Sequence, residues 1–122
     1  MMKDALKEEL TNKLLAAAAG ENGVITRKQA AVIFHDYLRD TIGEKDLDNI
    51  EPAAVLRDLY DCRVCVNPIA QMYLKGIIEA FLYPDLGNGN EFLVFEGNRE
   101  MEQEEMLQCI DRLFEKEKRI KR

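Results

Sequence analysis

Apolar residues recur at helical spacing in four stretches of this chain, and glycine, asparagine and proline punctuate the segments between them. Leu6, Leu10, Leu14 and Ala17 share one face over residues 3 to about 19, and the run Ala16 to Ala19 adds helix propensity. Gly20, Asn22 and Gly23 then supply a helix stop and a tight turn. A second helix is expected from Thr26, because Thr26 and Gln29 fit a capping box in which each side chain satisfies an orphaned backbone amide. Its apolar face is Ala30, Ile33, Phe34, Tyr37 and Leu38, and it should end near Gly43. The acidic stretch Glu44 to Asp61, interrupted by Pro52, predicts one or two short helical turns. Asn67-Pro68 predicts a third helix, with asparagine as cap and proline at the first position. Ile69, Met72, Tyr73 and Leu74 form its buried face, and Gly76 closes it.

Residues 77 to 97 carry a different pattern. Two short apolar runs flank Pro84-Asp-Leu-Gly-Asn-Gly-Asn90, which predicts a small hairpin or extended segments beside the helices. A last helix is expected from about 101 to 120, with Met106, Cys109, Ile110, Leu113 and Phe114 facing inward. Its phase repeats that of the second helix 76 residues earlier. Aligning Ile25 with Met101 also pairs Ala30 with Met106, Ala31 with Leu107, Phe34 with Ile110, Tyr37 with Leu113 and Leu38 with Phe114. A repeated phase of this kind points to a duplicated supersecondary unit. The expected fold is therefore mainly α: one domain over residues 1–122, built of two helix–loop–helix units with one short β-hairpin or extended element. Unit one covers about 3–43, a linker about 44–57 and unit two about 58–120. Leu10, Leu14, Ile33, Phe34, Leu38, Leu74, Ile110 and Leu113 are the expected shared core.

Composition narrows the partners. With 122 residues, 47% hydrophobic and 33% charged, the chain is long enough for one buried core and too apolar for disorder. A net charge of −6 argues against nucleic acid, which is held by lysine and arginine on its phosphates. The basic end from Lys116 alternates with Glu115 and Glu117 and reads as a solvated last helical turn. No apolar run approaches the roughly 20 residues that span a bilayer. The first ten residues form a charged helix start, not a signal peptide. Location then follows from the native start: cytoplasmic if that is Met1 or Met2, cell surface if this is a domain of an exported protein. An odd count of three cysteines argues against a complete disulfide framework and for a reducing compartment.

Candidate chemistry is sparse. Cys62-Arg-Val-Cys65, Cys109 and His35 supply the residue types of a zinc site without its familiar spacing. Asn22 to Gln29 resembles the second half of a calcium-binding EF-hand loop, but Ala18 and Gly20 stand where its first oxygen ligands belong. His35 is the single histidine, which leaves a metal hydrolase or a Ser-His-Asp triad without its partners. The glutamates from Glu100 to Glu105 sit where a helix dipole favours them. No catalytic residue and no cofactor are expected.

The segment Ile25-Thr26-Arg27-Lys28-Gln29 with the apolar helix behind it has a fuller counterpart later. There Asp58-Leu-Tyr-Asp61 precedes Ile69 to Ile78, Phe95-Glu-Gly-Asn98 forms a turn, and Met101 to Leu113 reads as a helix. Together these residues resemble the S-layer homology domain of bacterial surface proteins. In that family each repeat is a helix, a glycine-punctuated loop and a second helix opened by an Ile-Thr-Arg-Ala-Glu-like motif. The resemblance implies non-covalent attachment to cell-wall polysaccharide, with Arg27 helping to hold an anionic sugar and Gly23 and Thr26 beside it. A guanidinium suits that role because its fork matches a carboxylate. The second copy departs from the motif, reading Glu102-Gln-Glu-Glu105 with no arginine, and the chain has no tryptophan. Two units stand here where family members generally use three, so if the fold wants a third, self-association or a partner would have to cover the exposed edge. The rival expectation is a free-standing intracellular protein-interaction or regulatory protein, bacterial or phage, that reuses the fold.

Overall fold

Thr26 decides where the second helix begins. In the computed structural model, which describes residues 2–87 and 89–121, the Thr26 amide donates to Gln29 Oε1 at 2.8 Å and the Gln29 amide donates to Thr26 Oγ1 at 3.3 Å. This is the expected capping box, and α2 runs from it over Arg27–Tyr37. Before it, α1 spans Met2–Gly20, and Gly23 donates back to the Ala18 carbonyl from a φ of 88°. That left-handed turn is one that glycine adopts without steric cost. Beyond Tyr37 the chain widens into a π turn, Leu38–Ile42, and Gly43 ends it, also at φ 88°.

The acidic stretch forms two short 3-10 turns, Glu51–Val55 and Leu59–Asp61, as expected, and a third, Arg63–Cys65, follows it. The last of these runs straight into α3, Val66–Leu74, so the helix starts at Val66 rather than at Pro68. Pro68 is its third residue, where the amide still lacks an intrahelical partner. Asn67 does not cap the helix. Its side chain instead donates to Asp46 and accepts from Gln71, in a network that also takes in His35 and the backbone of Leu47.

The hairpin is present. β1, Phe81–Pro84, pairs antiparallel with β2, Glu91–Val94, placing Phe81 opposite Val94 and Tyr83 opposite Phe92. Leu56 adds a parallel bridge to Leu93, and the Arg57 amide donates to the Leu93 carbonyl at 2.8 Å. The hairpin is thereby anchored, which an isolated two-stranded ribbon needs.

α4 spans Gln103–Phe114, shorter than its apolar phase predicts. The chain turns extended at Glu115, and Arg119 folds back to donate to the carbonyls of Arg112 and Leu113, which the helix end leaves orphaned. Arg119 also grips Glu44 with two bonds of 2.9 Å, and the Ile120 amide donates to the Gly76 carbonyl. The basic end thus opens as the expected solvated turn, a 3-10 turn over Lys116–Lys118, and only then becomes a strap across the fold at Arg119 and Ile120.

α2 packs against α3, and α1 against both α2 and α4. Leu10, Leu14, Phe34, Leu38, Ile110 and Leu113 are buried as expected, while Ile33 and Leu74 are half-buried. Of the aligned pairs Ala31 and Leu107 part company, the first buried and the second exposed, and Leu38 is buried where Phe114 is half-buried. Among the described residues no helix is long and apolar enough to cross a membrane.

Candidate functional site

The two aligned helix starts meet. Thr26 and Glu100 form an antiparallel bridge, with the Arg27 amide donating to the Arg99 carbonyl and the Met101 amide to the Ile25 carbonyl, both at 2.8 Å. The Lys28 amide donates to the Gly97 carbonyl at 2.9 Å, and Gly97 lies so close to Lys28 that an added methyl group would sit 3.1 Å from its Cβ. The first amides of α2 are therefore all spent inside the fold. An anion has no free donors to find at that helix start.

Arg27 is turned inward and is 0% exposed. Its Nε donates to the Phe95 carbonyl at 2.9 Å and its Nη2 to the Glu79 carbonyl, while Nη1 pairs with the Glu105 carboxylate. The guanidinium lies 4.6 Å from the Phe81 ring centre and 4.9 Å from that of Phe95, within cation–π range. Glu79 precedes β1 and Phe95 follows β2, so this one side chain closes the base of the hairpin. Glu105 stands 76 residues after Gln29, so the glutamate position of the second copy neutralises the arginine of the first. Burial pulls the Arg27 pKa below its ordinary value.

The ligand set implied by the resemblance is thus not assembled. Gly23 ends α1, the Thr26 hydroxyl is engaged with Gln29, and the Arg27 head has no path to solvent. The metal candidates are also apart. Cys62 and Cys65 are joined as a disulfide, Cys109 is buried in the core with its thiol pushed up to about 11 by burial, and His35 bonds Asp46 at 2.8 Å. No group of three or more candidate ligands gathers among the described residues. Two of the three cysteines thus pair and Cys109 stays free, in keeping with an odd count that leaves the disulfide framework incomplete.

A cleft of about 320 Å³ opens beside this bridge, at the lower end of the roughly 300–1,000 Å³ of small-molecule sites. Its walls are the first turn of α2, the 3-10 turns around Asp58 and Asp61, and the loop Phe95 to Arg99. Half of its polar side chains, Asp58, Glu96 and Arg99, are committed. The Asp58 carboxylate accepts from the amides of Phe95 and Glu96 at 2.7 and 2.8 Å. Glu96 accepts from the Tyr83 hydroxyl and from Arg99, and those hydrogen bonds hold its carboxyl below the ordinary value. The Tyr83 hydroxyl moves the other way, raised by the same carboxylate. Three lining side chains have no hydrogen bond or ion pair among the described residues: Lys28, Asp61 and Asn98. They present an ammonium, a carboxylate and an amide to one space, enough to orient a ligand that carries both a negative group and hydroxyls.

Sequence reading singled out Arg27 and passed over its neighbour. The signal for Lys28 was helical phase, since a residue one step on lies about 100° around the helix from a buried one. Asp61 and Asn98 had no such signal, because only the folded chain brings residues 28, 61 and 98 together. No family model, no curated protein and no solved structure matches this chain.

Proposed function

We propose that this chain is a non-catalytic binding module that holds an acidic saccharide unit of bacterial cell-wall polysaccharide in the cleft beside Lys28. The observation that carries the reading is the set of three unengaged side chains, Lys28, Asp61 and Asn98, on walls whose other charges are internally satisfied. Lys28 would take the carboxylate of the sugar. Asp61 and Asn98 would accept from its hydroxyls, and Arg27 would position the walls without touching the ligand. The motif arginine's role in the resembling family passes here to the next residue along the helix.

Co-sedimentation with bacterial sacculi, before and after the polysaccharide is stripped, tests this. Binding should need the polysaccharide, and Lys28→Ala should weaken it by about 10- to 100-fold, the loss of a charge-assisted hydrogen bond. Sedimentation unaffected by Lys28→Ala would remove the cleft from the account. The rival reading, a protein-interaction or regulatory protein, draws on a different surface. Val55 and Leu82 are each more than half exposed and line an open hollow with Phe92 and Leu93 beside the hairpin. Failure to bind sacculi in every form would favour it.

A further inference from the structure

Cys62-Arg-Val-Cys65 has no part in the binding scheme, yet its disulfide lies in the wall of the cleft. The stabilisation from a cross-link grows with the loop it closes, and a four-residue loop is among the shortest possible. The bond is therefore a poor staple, and its surroundings favour exchange. Cys62 is half-buried and lines the cleft, while Arg63 and Val64 are exposed, Val64 at 85%. Cys65 is buried at 5% and is the residue from which α3 starts. A helix start stabilises a thiolate, so Cys65 is the better leaving group and Cys62 the more accessible target. Cys65 also lines a second, mainly apolar hollow of about 390 Å³, and Lys28 borders both spaces.

We propose that Cys62–Cys65 is a reversible thiol–disulfide exchange site for dithiol reductants, and that its redox state controls the cleft. The second half rests on the cleft being the binding site; the first does not. In the reaction, one thiolate of the reductant attacks Cys62 Sγ, the Cys62–Cys65 bond breaks, and Cys65 leaves as a thiolate that takes a proton from solvent. The reductant's second thiol then attacks its own sulfur in the mixed disulfide and releases Cys62. Two electrons pass to the protein, which ends with two thiols, and the dithiol becomes a disulfide. Coupling to the cleft runs through the turns that hold Asp58. Reduction removes the covalent tie after Asp61, so the Asp58 carboxylate is less firmly placed under the Phe95 and Glu96 amides.

The test uses the full chain equilibrated in graded dithiothreitol under native conditions. Alkylation and mass shift read the thiols, and amide hydrogen exchange reads the walls. Two thiols should appear with the helical circular dichroism unchanged, while Cys109 stays unlabelled because it is buried. Exchange at Phe95 and Glu96 should quicken by about tenfold on reduction, the mark of a local rather than a global opening. A pair that yields only in denaturant overturns the exchange site. Reduction with no change at those two amides overturns the coupling. The Cys62→Ser/Cys65→Ser variant should show the fast pattern with or without reductant, and the slow pattern in it would also overturn the coupling. Sacculus binding, measured in both redox states, is read separately: no binding in either sinks the wall reading, while the exchange data still decide the switch.

Discussion

Replacing Arg27 by alanine separates a core role from a ligand-contact role most sharply. The substitution takes donors from the buried Phe95 carbonyl and the part-buried Glu79 carbonyl, and strips Glu105 of its partner. Each orphaned acceptor costs about 1–3 kcal/mol, and the lost contact with the Phe81 and Phe95 rings up to about 2 kcal/mol. These terms overlap, so the expected total is that of a broken buried pair, about 3–5 kcal/mol. Against a native stability of about 5–15 kcal/mol this is a large share, and it corresponds to a fall in Tm of about 12–20 °C for a chain of this size. Urea unfolding followed by circular dichroism measures it, with Lys28→Ala as the comparison. An arginine waiting in solvent for a sugar would behave like any surface residue, within about 0.5 kcal/mol. A loss below about 1 kcal/mol for Arg27→Ala would therefore refute the inward placement. Lys28→Ala should show the opposite profile, with stability kept and sacculus binding weakened by about 10- to 100-fold.

Three other perturbations probe the parts that hold the site. Asp58→Ala should cost about 2–3 kcal/mol, less than the full worth of two charge-assisted bonds because Asp58 is part-exposed, and Asp58→Asn should recover part of it in the same urea assay. Gly76→Ala should release the C-terminal strap, since Gly76 has φ 74° and an added Cβ would fall on the Ile120 carbonyl and 2.8 Å from its amide nitrogen. Hydrogen exchange at the Ile120 amide should accelerate, and unchanged protection there would count against the strap. Acid should weaken the fold through Glu44: burial alone would raise its carboxyl, but hydrogen bonds from Arg119 and Lys75 outweigh burial and hold it below 4.5. Its contribution is thus complete above pH 4.5 and lost as pH falls through the depressed value, so Glu44→Gln should flatten the drop in Tm between pH 6 and pH 3.

Local order was legible in the sequence wherever a short-range rule governed it. The capping box at Thr26, the glycine stops at Gly23 and Gly43, the hairpin around residues 85–90 and the inward face of α4 all follow from residues within a few positions of one another. The 76-residue repeat was legible too, because two helices that bury the same face against one core need the same phase. What the sequence did not carry was the destination of the charges. Arg27 resembles a solvent-facing ligand in a motif but is enclosed because Phe81, Phe95, Glu79 and Glu105 converge on it from 52 to 78 residues away. Arg119 reads as part of a solvated helix end, yet Glu44 lies 75 residues off and draws it across the fold. A charged side chain is set by whichever partners reach it after collapse, and those partners are chosen by topology. The start of α2, the glycine stops and the helix faces were decided by the sequence alone; the start of α3, the end of α4, the buried arginine, the strap and the cleft with its three unengaged groups were decided only when the tertiary structure brought distant segments together.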